Sequence, residues 1–143
     1  MYNDFTEMSV WKLAMDYAVQ IFNLTNNLPK REDYALTSQI RRSSVSISDN
    51  LAEGFGRETK LDKKRFYIIS RGSLLESKSQ LLYGKNVGYF DKNKVEELIK
   101  INEKIHFELN KLIKSLSLVH QVRQFSLILN LNLSLNPFIT CQT

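Results

Sequence analysis

Apolar residues recur along most of this chain at alternating intervals of three and four positions, the period of an α-helix. The first run covers about residues 8–27, carries three apolar stripes and is followed by Pro29, which marks its end. The second run ends near Gly56. Within it, the five residues from Ser44 to Ser48 also alternate polar and apolar as a strand would. Because the helical pattern outlasts a typical strand, we predict a helix there too.

Two further helices are predicted downstream. Thr59 and Asp62 match the capping-box pattern that begins a helix, and Asp91 is a suitable cap for the next one. The third helix has a heptad seam with small residues Gly72 and Ser79 between its members: Leu61, Ile68, Leu75 and Leu82. The fourth has a strict three-four seam: Val95, Leu98, Asn102, Ile105, Leu109, Leu112 and Leu116. Short connections make consecutive helices antiparallel, so we predict an all-α, up-down-up-down four-helix bundle over residues 1–116.

The last segment, residues 117–143, differs in character. It contains one Arg, one His and no acidic residue, and Leu alternates with Asn and Ser as in a strand. The rest of the chain offers no strand with which it could pair. Three interpretations therefore stay open for this Leu/Asn-rich tail: a poorly ordered segment, a continued helix or an added edge strand.

Charge and composition indicate which kinds of partner and which cell compartment to expect. The formal net charge is +5 and the pI is about 9.3, which favours acidic partners such as nucleic acid or an anionic membrane. The single Cys141 excludes an internal disulfide and fits a reducing cytosol. We find neither a signal-peptide pattern nor an apolar stretch of about 18 residues. We therefore expect a cytoplasmic protein with no membrane partner.

Catalytic chemistry has little support in the sequence. A serine nucleophile needs a base, and the two histidines, His106 and His120, lie in no recognised nucleophile motif. Glu103 and His106 form one half of a di-iron bundle motif, but no second such pair exists. The Gly54-Phe55-Gly56 run lacks the preceding strand and following lysine of a phosphate loop. We predict a protein that is not an enzyme and has no cofactor and no metal site.

A polar stripe runs along the second helix beside its apolar seam. Its members follow the helical spacing: Gln39, Ser43, Ser46, Asn50, Glu53 and Arg57. Such a stripe is either a solvated face or a buried polar layer that fixes the register between helices. We predict a partly buried structural network, and its named members are Arg42, Asn50, Glu53 and Glu76.

A basic stripe runs along one face of the third helix. Either this stripe is an ordinary solvated face, or it is a surface that contacts nucleic-acid phosphates. In the second interpretation Tyr67 is available for stacking. The predicted nucleic-acid-binding residues are Lys60, Lys64, Tyr67, Arg71, Lys78, Lys85 and Arg41.

Several motifs occur in the order typical of one family. They are Trp11, Leu28-Pro29, Glu32, "YALTSQIRRSSVSI" from Tyr34, "NLAEGFGR" from Asn50 and "RGSLLES" from Arg71. Over residues 5–116 the chain resembles the bacterial four-helix-bundle protein family, also called the 23S rRNA intervening-sequence protein family. The chain departs from that pattern at Ser43 and Ser44, where small apolar residues are commoner, and in its tail.

The resemblance carries expectations of its own. It implies a closed four-helix bundle and a ring-shaped homo-oligomer, often a pentamer, with a basic surface. Some members are encoded within insertions in 23S rRNA genes, and a related branch assists the reverse transcriptase of diversity-generating retroelements. The family has no established catalytic residues, so none is carried over.

Two functions remain in view. The first is a non-catalytic, homo-oligomeric nucleic-acid-binding or ribonucleoprotein accessory factor, with partners that include RNA or DNA and a protein such as a reverse transcriptase. The alternative is a protein-binding scaffold whose charge only confers solubility. In either case we expect the first helix to lie in the oligomer interface, joined by Val45 and Ala52, because it has more apolar stripes than one seam can bury.

Overall fold

The computed structural model describes residues 2–134 and, within them, the side chains of residues 2–117. Its four α-helices are α1 (Ser9–Leu24), α2 (Ser38–Gly56), α3 (Lys60–Asn86) and α4 (Lys92–Ser134). No strand occurs among residues 2–134. The predicted all-α class and the four-helix architecture are confirmed.

Helix ends follow the local chemistry of the sequence. The Thr59 hydroxyl accepts a hydrogen bond from the Asp62 N–H at 3.1 Å, and the Asp91 carboxylate accepts one from the Lys94 N–H at 3.0 Å. Each bond satisfies a backbone donor that the first turn of a helix leaves free. Between these helices the chain turns at Gly88, whose φ of 80° lies in the left-handed region that favours glycine. The predicted caps of α3 and α4 are thus confirmed.

The helices form a closed arrangement in which each packs on the next and α4 also packs on α1. Hydrogen bonds between neighbours fix their relative direction. Residue numbers that increase along α2 are paired with residue numbers that decrease along α3, so the two helices are antiparallel. The same holds for α3 and α4. The pairs are Ser43 with Gln80, Ser46 with Ser73, Arg71 with Asn110 and Lys78 with Glu103. These contacts fit the predicted up-down-up-down order.

The core receives an apolar row from every helix. On α4 the first five members of the predicted seam are buried and its last two, Leu112 and Leu116, are half-buried; the buried ones are Val95, Leu98, Asn102, Ile105 and Leu109. Facing rows come from α1, α2 and α3: Tyr17, Ile21, Ile40, Ile47, Leu51, Leu74 and Leu81. Burying such side chains stabilises the bundle by about 1.5–3 kcal/mol each relative to leaving them in water.

The buried face of α3 is not the one that its heptad of leucine and isoleucine predicts. Leu61, Ile68 and Leu75 are 72%, 41% and 50% exposed. The buried row is Tyr67, Ser70, Leu74, Ser77, Leu81 and Gly84. Small residues make this face look polar in the sequence, yet they allow close helix packing, and the Ser70 hydroxyl donates to the Ile47 carbonyl on α2 at 2.8 Å. The predicted seam of α3 was therefore wrong.

Helix α4 continues without a break through Ser134. Of the three interpretations of the tail, continued helix applies to residues 117–134, and residues 135–143 lie outside the described part of the chain. The division at residue 116 stays a prediction. Among the residues that the structure describes, no helix carries an apolar stretch long enough to cross a membrane.

Candidate nucleic-acid interface

The basic stripe of α3 lies along the edge of that helix that faces α4. Arg71 donates from Nη1 to Asn110 Oδ1 at 2.8 Å, and Lys78 Nζ lies 3.2 Å from Glu103 Oε1. Lys60 is exposed, and Lys64 and Lys85 are half-buried on the same helical face. The five predicted cations therefore follow one helical face, and two of them, Arg71 and Lys78, contact α4.

Tyr67 has a different position from the one predicted for it. Its side chain is only 5% exposed and belongs to the core. The ring lies so close to Gly54 of α2 that a methyl group there would collide with it. Burial also raises the pKa of the Tyr67 hydroxyl. The ring is covered by the chain itself, so it has no free face on which a base could stack.

Arg41 is not part of the α3 stripe. It lies on the side of α2 that faces α1, where Nε donates to the Thr25 hydroxyl at 2.7 Å and Nη2 donates to Asn26 Oδ1 at 3.0 Å. Its guanidinium carbon is 4.4 Å from the centre of the Phe22 ring. These contacts hold a positive charge at the C-terminal end of α1, where the helix dipole favours it. The structure thus gives Arg41 a role in joining α1 to α2.

The predicted polar network of four residues does not form in this chain. Arg42 and Glu76 are exposed and contact glutamines on their own helices, and Glu53 pairs with Arg57 one turn away. Asn50 alone is half-buried, and its Nδ2 donates to the Ser46 carbonyl at 2.7 Å. Long side chains at these positions reach solvent, whereas shorter neighbours face the adjacent helix.

The buried polar layer is built from other residues. Tyr17 on α1 shares a 2.7 Å hydrogen bond with Ser77 on α3, and Asn102 on α4 donates to the Leu74 carbonyl at 3.0 Å. Burial raises the pKa of Tyr17, while its bonds to Ser77 and Asn102 act in the opposite direction. The sequence indicated this layer through Asn102 in the α4 seam, whereas Tyr17 lies in the apolar pattern of the first helix and gave no such signal. The layer links three helices and has no sign of catalytic use.

The positive charge of the chain is unevenly distributed. Residues 57–88, which contain α3, hold eight Lys and Arg residues against three acids, a surplus equal to the whole net charge of +5. Among the side chains that the structure describes, Lys60, Lys64 and Arg65 form no hydrogen bond or ion pair. This part of α3 therefore presents three cations that form no ion pair with a neighbouring acid in the described part of the chain.

Metal chemistry has no support among the described residues. They contain no cluster of three or more metal-ligating side chains. Glu103 pairs with Lys78, and the Nε2 atom of His106 lies 3.3 Å from Asn110 Nδ2. The half-motif of Glu103 and His106 is thus occupied by other contacts.

Comparisons with known proteins agree with this architecture. A crystal structure of a protein with unknown function from the S23 ribosomal protein family of Bacteroides thetaiotaomicron VPI-5482 has a similar fold, with a TM-score of 0.67 and 21% sequence identity. The similarity covers 73% of this chain and 98% of that chain. No curated protein matches the sequence. The sequence model of the 23S rRNA-intervening sequence protein family matches residues 6–111. The chain therefore belongs to the 23S rRNA-intervening sequence protein family.

Proposed function

We propose that this protein is a non-catalytic, cytoplasmic homo-oligomer that binds nucleic acid through phosphate contacts along α3. The observation that carries the proposal is the concentration of the entire charge surplus in residues 57–88. The family's association with insertions in 23S rRNA makes structured RNA the first ligand to test.

The chemistry of the α3 stripe favours contact with the phosphate backbone over reading of bases. Lysines and arginines on a helix meet phosphates at any sequence, and their binding releases counterions. Base readout in RNA needs exposed aromatic platforms or splayed bases. Because Tyr67 is buried, the α3 stripe offers no such platform. Binding should therefore be strong in low salt and nearly independent of sequence.

Self-association is supported by two exposed apolar faces. The first combines α1 and α2, with Met15, Val19, Phe22 and Val45 between 36% and 51% exposed. The second is the outer seam of α3 described above. Two different apolar faces on one chain favour head-to-tail contacts, which generate a ring when the rotation between copies closes. A ring repeats the α3 stripe in every copy, and this repetition raises avidity without new contacts.

Fluorescence anisotropy with labelled RNA and DNA over a range of salt concentrations tests the proposal. The logarithm of the binding constant should fall with the logarithm of salt, by about 0.7–0.9 for each phosphate neutralised. Unrelated sequences of equal length should bind alike. An oligomer that binds neither RNA nor DNA at low salt would contradict the proposal and favour the protein-binding scaffold, which the same apolar faces also suit.

A further inference from the structure

We propose that Arg71, Asn110 and His106 form a phosphate-binding site across α3 and α4, and that its ligand is an oxygen of a nucleic-acid phosphodiester. The inference rests on the proposed function and names one specific contact within the α3 surface. Asn110 and His106 were not among the predicted nucleic-acid-binding residues.

The three side chains form a continuous chain of contacts between the two helices. Arg71 is half-buried, and its Nη1 donates to Asn110 Oδ1 at 2.8 Å. Asn110 and His106 lie one turn apart on α4, with 3.3 Å between Asn110 Nδ2 and His106 Nε2. Both α4 residues are half-buried, so these contacts lie between the two helices and remain partly open to solvent.

The direction of each hydrogen bond follows from the arginine. A guanidinium only donates, so the amide oxygen of Asn110 must face Arg71 and its NH2 group must face His106. His106 Nε2 then accepts, which places the proton of a neutral ring on Nδ1. The remaining N–H groups of Arg71 and the Nδ1–H of His106 are all donors. A site that offers only hydrogen-bond donors fits an oxyanion. It does not fit a cation, or an apolar group that has no acceptor.

The charge of Arg71 is positioned without being neutralised. Among the described side chains Arg71 forms no ion pair, whereas Lys78 pairs with Glu103 and Arg57 pairs with Glu53. A neutral amide fixes the planar guanidinium while leaving its full charge for a ligand. Holding the side chain in place before binding also reduces the entropy lost on association.

The surroundings favour a chain of phosphates over a single small anion. Lys64 and Lys78 lie seven residues before and after Arg71, on the same helical face. Two helical turns span about 10 Å, so the three cations form a row along this face of α3. A linear polyanion can contact the whole row, whereas an isolated phosphate contacts one member.

The test replaces Asn110 with aspartate. Asn110→Asp puts a carboxylate against Arg71, so it neutralises the guanidinium and occupies its donors. RNA affinity at low salt should fall about tenfold, and the salt slope should decrease by about one phosphate. The matched control is Asn93→Asp, which makes the same charge change at an exposed position of α4. It should bind within about twofold of the unmodified protein, since an isolated exposed charge has a small effect.

A second measurement reports on the site without nucleic acid. Side-chain 15N NMR should show the Nδ1–H form of neutral His106, and added inorganic phosphate should shift the His106 signals in the unmodified protein but not in Asn110→Asp.

Should Asn110→Asp lower the thermal midpoint, Arg71→Gln replaces it, because glutamine keeps a donor to Asn110. If Asn110→Asp and Asn93→Asp bind RNA equally well, the site is excluded and the proposed function stands. If the unmodified protein binds no nucleic acid, the proposed function fails, and the phosphodiester site fails with it.

Discussion

At the scale of single residues, small polar side chains decide how the helices meet. Ser43, Ser46 and Ser70 on the facing sides of α2 and α3 each form a hydrogen bond to the other helix. A hydroxyl that is bonded in this way can be buried at little cost, while an unbonded one costs about 1–3 kcal/mol. The serines therefore fix the register between α2 and α3. This is the role that was predicted for the network of Arg42, Asn50, Glu53 and Glu76.

Asn102 offers the sharpest test of this polar layer. It is 1% exposed and donates to the Leu74 carbonyl, with the Tyr17 hydroxyl 3.4 Å away. Asn102→Ala removes this hydrogen bond between α4 and α3 and opens a cavity, so the free energy of unfolding should fall by about 2–3 kcal/mol. Urea denaturation at one fixed protein concentration measures this change.

The control for Asn102 is Glu53→Ala. Glu53 is exposed and its one contact is an ion pair with Arg57 on the same helix, so this change should cost at most about 1 kcal/mol. Equal losses in the two variants would contradict the distinction between a buried layer and a solvated face.

At the scale of helices, the sequence predicted the N-terminal ends of α3 and α4 and most of the buried seam of α4. Thr59 and Asp91 cap their helices through local hydrogen bonds, which depend on residues only three positions apart. The α4 seam was found because its buried positions are almost all large and apolar. Both kinds of signal are contained within one helix, so a sequence alone can reveal them.

The sequence could not identify the buried face of α3, or the complete site. The face of α3 that is buried depends on which neighbouring helix packs closely against its small residues. The residues of that helix are distant from α3 in the sequence. Gly84 packs beneath Phe90, and Gly54 on α2 makes room for Tyr67. Arg71 was predicted from its spacing, but its link to Asn110 depends on the alignment of α3 with α4, which only the fold defines.

Two glycines of α3 should respond in opposite directions to alanine. A methyl group at Gly84 would overlap the Phe90 ring, whereas one at Gly72 meets no atom within 4 Å. Gly84→Ala should lower the thermal midpoint through overpacking of about 1–3 kcal/mol, and Gly72→Ala should raise it, since alanine is favoured in a helix by about 1 kcal/mol. Differential scanning calorimetry compares the two. A lowered midpoint in Gly72→Ala would show that this exposed position is packed by something other than its own chain.

At the scale of the whole molecule, the exposed apolar faces of α1, α2 and α3 predict contact with further copies of the chain. Light scattering coupled to size-exclusion chromatography should find a closed homo-oligomer at micromolar concentration. Val19→Glu on α1 or Ile68→Glu on α3 should shift it toward monomer, because a charge in an apolar contact loses its water. Lys100→Glu, at an exposed position of α4 that belongs to neither apolar face, is the control and should leave the mass unchanged. A monomeric unmodified protein would contradict the assembly.

A pair of charge-matched variants tests most directly whether α3 is the nucleic-acid surface. Lys64→Gln with Arg71→Gln removes two charges from the α3 stripe, and Lys100→Gln with Lys104→Gln removes two from exposed positions of α4. RNA binding is measured by fluorescence anisotropy over a range of salt concentrations. The first pair should weaken binding to every sequence and reduce the slope of the logarithm of the binding constant against the logarithm of salt by about 1.4–1.8. The second pair should leave the affinity and the slope nearly unchanged. Equal losses in both pairs, or none in the first, would contradict the account.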